Sequence, residues 1–287
     1  MPNYLKKFIV EPGTKIWLKH FDPDYHGKHE SHQEALPEIQ KYVEKMAQLQ
    51  YLMYAERKHS LLIVLQGLDA AGKDGVVRHV LTGMSPAGCV AVGFKQPTPE
   101  ELAHDFLWRV HPHVPAKGSV AIFNRSHYED VLVVRVHELV PENVWSKRYD
   151  EINEFETLIA KQNNTTILKF FLHISKQEQL ARFAKRLDDP ARQWKISDSD
   201  YKERDYWSKY TEAFEDVLNK ASTENAPWFI IPSNHKWFRN LAISQIIVRQ
   251  MEDMDMQLPK PTVNIAKIRR EYHQAADQQK SDRRKKR

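Results

Sequence analysis

The chain has 287 residues, enough to bury one substantial core, and its 43 lysine and arginine residues exceed its 38 acidic residues to give a net charge of +5. Six of those basic residues lie among the last eight, so the rest of the chain is neutral and lacks the spread basic surface of a general nucleic-acid binder. No stretch is apolar for long enough to span a membrane, and neither the charged N-terminus nor the lone Cys89 is typical of a secreted protein, which favours a cytoplasmic location.

The first 58 residues predict an irregular arm followed by a helix over residues 33–58. Met46, Leu49, Leu52 and Met53 fall on one face of that helix. We expect residues 1–58 to pack on the core as an N-terminal helical extension. An oligomer contact is the alternative that the sequence leaves open.

Five short apolar runs follow, each nearly continuous, as is typical of parallel strands covered on both faces. They span residues 61–66, 89–94, 120–124, 166–174 and 228–232. Helical segments are predicted at residues 74–82, 99–110, 142–162, 176–186, 201–221 and 237–254. The alternation predicts an α/β fold over residues 59–258, with a parallel five-stranded sheet and helices on both faces.

Residues 259–287 form a charged C-terminal extension that is predicted to be helical at first and disordered in its basic tail. Neither end of the chain shows a linker, so we expect one domain with extensions.

The first run leads into a glycine-rich turn, in the sequence LLIVLQGLDAAGKDGVVRHV (residues 61–80). It matches the phosphate-binding pattern G-x-x-x-x-G-K but has Asp74 where serine or threonine is usual. Backbone N–H groups at a helix N-terminus bind phosphate oxygens, and the lysine contacts terminal phosphates. The alternative is a plain strand–helix turn. The predicted phosphate-binding residues are Gly67, Ala70, Ala71, Gly72, Lys73, Asp74 and Gly75.

Two carboxylates, Asp69 and Asp74, flank this site for anions. Unpaired, they would repel phosphate, so we predict that they hold a magnesium or manganese ion between protein and ligand. Asp69 is the favoured ligand, because Asp74 can instead interact with the helix dipole.

The third run continues into AIFNRSHYEDVLVVRVH (residues 121–137). Arg125 follows the carboxyl end of a strand, where ligands of parallel sheets bind, and we predict that it contacts phosphate. Glu129 and Asp130 are candidate catalytic carboxylates, with N-terminal helix capping as the alternative. A hydrolase pair of Ser126 and His127 is disfavoured, because no nucleophile elbow is present.

A basic segment at residues 182–207, RFAKRLDDPARQWKISDSDYKERDYW, lies where kinases of small phosphorylated substrates carry a mobile lid. Arginines on such a segment can stabilise a transferred phosphoryl group. The alternative is a solvated charged loop. The candidate lid residues are Arg182, Lys185, Arg186, Arg192 and Lys195, of which Arg182 and Lys195 are predicted to bind phosphate.

Lys95 and Thr98 follow the second run at the same edge of the sheet and are predicted, with Asn124, to bind a second substrate. His104, His111 and His113 lack a recognised zinc spacing and are expected to be surface histidines.

Together, the segments GLDAAGKDG, FNRSHYEDVLV and RLDDPARQWKISDSD resemble the three motifs of the polyphosphate kinase 2 family. The resemblance implies a P-loop kinase-like core, phosphoryl transfer between inorganic polyphosphate and nucleoside mono- or diphosphates with magnesium or manganese, and a homodimer or homotetramer. NRSHYED and GKDG are similar to the group called class III, which phosphorylates both AMP and ADP. By the same resemblance, Asp69, Lys73, Arg125, Arg186 and Arg192 are expected to be essential.

We therefore expect a polyphosphate-dependent nucleotide kinase without nucleic-acid or membrane partners. One alternative is an ATP-dependent nucleoside monophosphate kinase of the same fold. The other is a non-catalytic protein that binds polyanions or RNA through the basic tail.

Overall fold

The computed structural model of the chain describes residues 2–285, without the side chains of residues 199, 281, 284 and 285. Strands and helices alternate along most of it. The strands are β1 Ile9–Val10, β2 Ser60–Gln66, β3 Cys89–Gly93, β4 Val120–Asn124, β5 Thr165–His173 and β6 Trp228–Pro232. The helices are α1 Tyr4–Phe8, α2 His32–Glu56, α3 Lys73–His79, α4 Pro99–Leu102, α5 Val133–Val136, α6 Glu142–Trp145, α7 Arg148–Asn163, α8 Lys176–Leu187, α9 Asp198–Glu203, α10 Trp207–Lys220, α11 Lys236–Asp253 and α12 Ile265–Lys285.

The strands form one sheet in the order β1-β6-β5-β2-β4-β3. The five predicted strands are present and parallel, within one residue of their predicted limits. The prediction of five strands was nevertheless wrong, because β1 adds a sixth that pairs antiparallel with β6. β1 has only two residues, which is too short to show a periodic pattern.

Strand β2 lies at the centre of the sheet and every one of its residues is buried. Its side chains alternate between two cores: Leu61 and Ile63 join one, and Leu62 and Val64 join the other. Its neighbours are β4 and β5, so the strand order reverses there. In parallel sheets, that reversal leaves a crevice for ligands at the carboxyl ends of the strands.

The N-terminal arm packs on the sheet and on α11. Tyr4 is buried, its backbone N–H donates to Gln245 Oε1 at 2.9 Å, and its ring meets Phe238 edge to face. Helix α2 contacts α11 and buries Met46 and Met53, two of the predicted apolar residues.

The helix predicted over residues 99–110 was wrong, because α4 ends at Leu102. Asp105 Oδ1 accepts a hydrogen bond from the Leu107 N–H at 3.0 Å, a local turn that competes with helix. Two other predicted helices are each divided: residues 142–162 into α6 and α7, and residues 201–221 into the end of α9, a 3₁₀ turn at Arg204–Tyr206 and α10.

The chain divides into two compact units, Met1–Met256 and Gln257–Arg287. The first contains the whole sheet. The second contains α12, which continues through Lys285 into the basic end for which composition predicts disorder. Alanine, glutamine, lysine and arginine all favour helix. Residues 286 and 287 lie outside the described residues. Over residues 2–285, no helix is both long and apolar enough to cross a membrane.

Candidate active site

A cavity of about 1880 Å³ opens at the carboxyl ends of β2 and β4. Most of the predicted site residues line it: Asp69, Ala70, Gly72, Lys73, Asp74, Gly75, Lys95, Asn124, Arg125, Glu129, Asp130, Arg182, Lys185, Arg186, Arg192 and Lys195. Gly67, Ala71 and Thr98 are predicted site residues that do not line it.

The glycine-rich loop between β2 and α3 has the left-handed backbone that its glycines permit. Gly72 has φ +108°, and a Cβ atom there would lie 1.9 Å from Arg239 Nη1. Ala70 also adopts a positive φ, +62°, although it is not glycine. The loop therefore has a backbone conformation that few other residues could adopt at position 72.

Lys73 reaches back across the loop. Its Nζ donates to the carbonyl oxygens of Gly67 at 2.6 Å and Leu68 at 3.4 Å. Burial, and then the charge of Arg125, lower the pKa of Lys73 to about 8, although nearby carboxylates act in the opposite direction. A phosphate in the loop would favour the charged ammonium.

Arg182, on α8, holds the loop from behind. Each of its five N–H groups has a protein acceptor in the free protein, which differs from the free phosphate-binding side chain predicted from the sequence. The acceptors are Glu178 Oε1 at 2.7 Å, the carbonyl oxygens of Ala70, Ala71 and Asn234 at 2.8, 2.9 and 3.0 Å, and that of Ser233. On the same helix, Gln179 donates to the Asp69 carbonyl oxygen at 2.9 Å. Arg182 is thus a structural support of the loop.

Arg239, on α11, is a site residue that sequence reasoning missed. It is 2% exposed, lines the cavity, and donates to the Ala71 carbonyl oxygen at 3.3 Å. No ion pair between Arg239 and a carboxylate occurs among residues 2–285. Burial, with the charge of Arg182, lowers its pKa to about 9. No local sequence pattern distinguishes Arg239, because α11 also carries Asn240, Gln245 and Arg249.

Arg125 lies between two carboxylates. Its Nη2 is 2.9 Å from Asp69 Oδ1 and its Nη1 is 3.1 Å from Glu129 Oε2. Gln66 also donates to Glu129, at 3.1 Å. The structure thus brings together three predicted catalytic residues, one from the loop and two from beyond β4.

The same two carboxylates, Asp69 and Glu129, supply hard oxygen atoms suited to a divalent cation. Within the described part of the chain, no group of three or more His, Cys, Asp or Glu side chains could hold a metal. Mg²⁺ commonly binds through one or two carboxylates together with substrate phosphates and water. The donor set fits that mode of binding and does not fit a cage made of protein ligands alone.

The carboxylate of Asp74 faces one amide group and one ammonium group. Asn124 Nδ2 donates to Oδ1 at 2.8 Å, and Lys195 Nζ lies 3.4 Å from Oδ2. Burial alone raises the pKa of Asp74, but the hydrogen bond from Asn124 and the charges of Lys195 and Lys73 lower it below its usual value. Asp74 is therefore ionised at neutral pH.

Asp130 forms an ion pair with Arg148 at 3.0 Å, and burial raises its pKa to about 6. Ser126, rather than Glu129 or Asp130, caps the 3₁₀ turn His127–Asp130 by accepting from the Tyr128 N–H. His127 is buried and bonded to Glu156 at 3.1 Å, while Ser126 Oγ accepts from Gln66 and from the Tyr128 N–H. The hydrolase pair is thus not formed.

Beneath that turn lies a fully buried ionic network. Lys169 Nζ lies 2.5 Å from Glu156 Oε2, 2.7 Å from Tyr128 Oη and 2.6 Å from the Ala221 carbonyl oxygen. Glu156 Oε1 accepts from Tyr128 at 2.9 Å. The network anchors the turn that carries Glu129 and Asp130.

The segment predicted to be a lid lines the cavity with the end of α8, a 3₁₀ turn at Gln193–Lys195 and α9. Arg186 lies 3.7 Å from Asp200 and donates to the Lys195 carbonyl oxygen at 3.4 Å. Arg192 pairs with Asp189 at 2.8 Å and remains half exposed.

At the β3 side of the cavity, Thr98, which was predicted to bind the second substrate, is not among the residues that line the cavity. It forms a capping box at the start of α4, in which Thr98 Oγ1 accepts from the Glu101 N–H at 3.2 Å. Lys95 does line the cavity. Arg109, which the sequence analysis missed, donates to the Lys95 carbonyl oxygen at 2.7 Å and lies over the Phe94 ring.

Comparisons with known proteins agree with these features. A family model described as Polyphosphate kinase 2 (PPK2) matches residues 28–259. The chain is 49% identical over 268 residues to an AMP/ADP-polyphosphate phosphotransferase of Meiothermus ruber, covering 92% of this chain and 99% of that protein. It is 42% identical to an ADP-polyphosphate phosphotransferase of Rhodopseudomonas palustris, covering 90% of this chain and 93% of the relative. The crystal structure of polyphosphate kinase 2 from Arthrobacter aurescens TC1 superposes with a TM-score of 0.89 at 38% identity, covering 92% of this chain and 95% of that one.

Proposed function

Since the chain belongs to the polyphosphate kinase 2 family, we propose that it is a phosphotransferase that moves the terminal phosphoryl group of inorganic polyphosphate to AMP and ADP, reversibly. The products are ADP and ATP. The geometry of the cavity supports this reading over the two alternatives raised by the sequence.

One observation carries the proposal: the lysine and arginine side chains that line the cavity outnumber the carboxylates that line it. Partial burial lowers the pKa of Lys236, and so do the charges of Arg182, Arg239, Lys185 and Arg192. Repulsion of this kind within the free protein is relieved when a polyanion binds. A chain of phosphates matches such a cluster better than a single nucleotide does.

The two substrates are assigned to opposite halves of the sheet. The cationic side chains come from α8, the lid and α11, which follow β5 and β6 on one side of β2. On the other side, next to β3 and β4, apolar residues line the cavity: Phe94, Pro97, Val133, Val134 and Leu139. We assign polyphosphate to the first side and the nucleotide, with Lys95, Arg109 and Asn124, to the second.

The loop lies between the two sides and would receive the transferred group. An oxygen of the nucleotide's terminal phosphate attacks the terminal phosphorus of polyphosphate. The bond to the bridging oxygen breaks, and the shortened chain leaves with the electron pair as a phosphate anion. The attacking phosphate is already anionic, so the step needs positioning and charge stabilisation rather than a strong base.

Named residues of the cavity supply both effects. The Lys73 ammonium and the loop N–H groups bind the terminal phosphates, and Arg125, Arg186 and Arg192 stabilise the charge of the group in transfer. Asp69 and Glu129 would hold Mg²⁺ or Mn²⁺, which when bound neutralises charge on the bridging oxygens. We assign Asp130 a supporting part in holding the turn beside Glu129.

The test measures ADP and ATP formed from long-chain polyphosphate, AMP and Mg²⁺. Lys73→Met should lower the rate by at least about a thousandfold, whereas Lys161→Met, on the exposed face of α7, should leave it unchanged. Conversion of AMP with ATP alone, and not with polyphosphate, would establish the ordinary nucleotide kinase instead. If removal of the residues after Tyr272 abolished function while Lys73→Met did not, the basic tail would be the functional element.

We also propose that the enzyme is a cytoplasmic homodimer or homotetramer. Family resemblance supports this proposal. Light scattering on the purified protein measures the molar mass in solution, and a monomer would contradict it.

A further inference from the structure

Asp74 and Asn124 depart together from the usual pattern of phosphate-binding loops. The residue after the loop lysine is normally serine or threonine, whose hydroxyl can donate, and the matching strand end normally carries an acid, which accepts. Here position 74 has a carboxylate, which only accepts, and position 124 has an amide, which donates to it at 2.8 Å. Donor and acceptor have exchanged places between the two positions.

The carboxylate of Asp74 also reaches the lid. Lys195, at the end of the 3₁₀ turn Gln193–Lys195, places its Nζ 3.4 Å from Asp74 Oδ2. The backbone of Lys195 is held in turn by Arg186, whose Nη1 donates to its carbonyl oxygen at 3.4 Å. One side chain thus joins the end of β4, the start of α3 and the lid.

From these contacts we propose that Asp74 is a positioning residue that couples the β4 end to the lid and holds Lys195 over the phosphate loop, rather than a metal ligand. The inference rests on the proposed phosphotransferase function. It replaces the metal-binding part that the sequence suggested for this residue. Both Asp74 oxygens already face an N–H donor, and the side chain is 67% exposed, so its effect is expected on lid closure rather than on folding.

The first experiment exchanges the two side chains. Asn124→Asp places two carboxylates at hydrogen-bonding distance, and their repulsion should lower kcat/KM for polyphosphate by at least about tenfold. Adding Asp74→Asn restores a donor opposite an acceptor, so the double variant should recover to the activity of Asp74→Asn alone, which lacks only the ion pair between the carboxylate and Lys195. Failure of the second substitution to restore activity would overturn the proposal.

The second experiment compares the proposed role with metal binding. Asp74→Asn and Lys195→Met should raise KM for polyphosphate to the same extent, and the double variant should be no worse than either. The half-saturating Mg²⁺ concentration should stay at its wild-type value in Asp74→Asn. A rise of about tenfold or more would make Asp74 a metal ligand and refute the inference.

Hydrogen exchange supplies a readout that is independent of activity. Backbone amides of the lid turn Gln193–Lys195 should exchange faster in Asp74→Asn and in Lys195→Met, to equal extents, while thermal unfolding stays at the wild-type temperature. Unchanged exchange in both variants would contradict the coupling. Wild-type protein without polyphosphate-dependent activity would refute the proposed function itself, an outcome distinct from failed rescue.

Discussion

Because the pKa of Lys73 is lowered, the activity of the enzyme should fall at a lower pH than it would if Lys73 had the pKa of an unperturbed lysine. In the free protein, burial and the nearby Arg125 charge lower its pKa to about 8. The charged fraction is then about 0.9 at pH 7 and about 0.1 at pH 9. If the ammonium binds the terminal phosphates, kcat/KM for polyphosphate should fall about tenfold between those pH values. Initial rates of ADP formation from AMP, at polyphosphate concentrations far below KM, measure this quantity.

Lys73→Arg is the matched control, because a guanidinium stays charged throughout this range. Its activity should be lower but nearly independent of pH. At saturating polyphosphate, bound phosphate favours the ammonium, so the fall of the wild-type kcat should move to higher pH. A wild-type kcat/KM that stays flat to about pH 10, or an equal fall in Lys73→Arg, would refute the reasoning.

The contribution of Lys73 to the free energy of unfolding of the free protein should rise with pH, whereas the activity should fall. The pKa of Lys73 is about 8 in the folded state and about 10.4 in an unfolded chain. Between those values the unfolded state binds more protons, so this lysine makes the folded state more stable as pH rises. Urea titrations at several pH values should show the free energy of unfolding of wild type rising relative to that of Lys73→Met across this window. A constant difference would contradict the lowered pKa.

Three further predictions test the residues that support the site. Lys169→Met should lower the free energy of unfolding by about 3–5 kcal/mol, because it leaves the Glu156 carboxylate buried without its ammonium. Combined with Glu156→Gln, the loss in urea titrations should be clearly smaller than the sum, and strict additivity would contradict the pairing. Arg182→Met should lower both stability, by about 3 kcal/mol, and activity; Arg182→Lys should not restore either, whereas partial rescue would indicate a phosphate contact. Gly72→Ala, whose Cβ would lie 1.9 Å from Arg239 Nη1, should reduce kcat/KM in the same assay at least about a hundredfold, and wild-type activity would show that the loop tolerates a side chain.

Strands β2, β4, β5 and β6 could be predicted because burial on both faces leaves a continuous apolar run in the sequence. β2 is the clearest case, with every residue buried. β3 has the same apolar pattern, although it lies at the edge of the sheet and none of its residues is buried. β1 could not be predicted, because two residues carry no pattern and its pairing with β6 is a long-range contact. The turn at Asp105 was missed for a different reason: a side chain that bonds its own backbone overrides helical spacing.

The site was predictable where its residues are contiguous in the chain, as in the loop and after β4. Arg239 was not predicted to be a site residue, because Ala71, to which it donates, lies 168 positions away in the sequence. Arg182 shows a second limit. Charge indicated a phosphate ligand, but only the fold reveals that four carbonyl oxygens and the Glu178 carboxylate accept from all five of its N–H groups. Composition shows which cations are available and cannot show which of them remain unpaired.

The attachment of the N-terminal arm has a consequence for how the chain folds during synthesis. Tyr4 bonds to Gln245, 241 positions later, and β1 pairs with a strand that begins at Trp228. During synthesis the arm therefore leaves the ribosome more than 200 residues before its partners do. Closing so long a loop is slow, and the apolar arm stays exposed until α11 and β6 have been made.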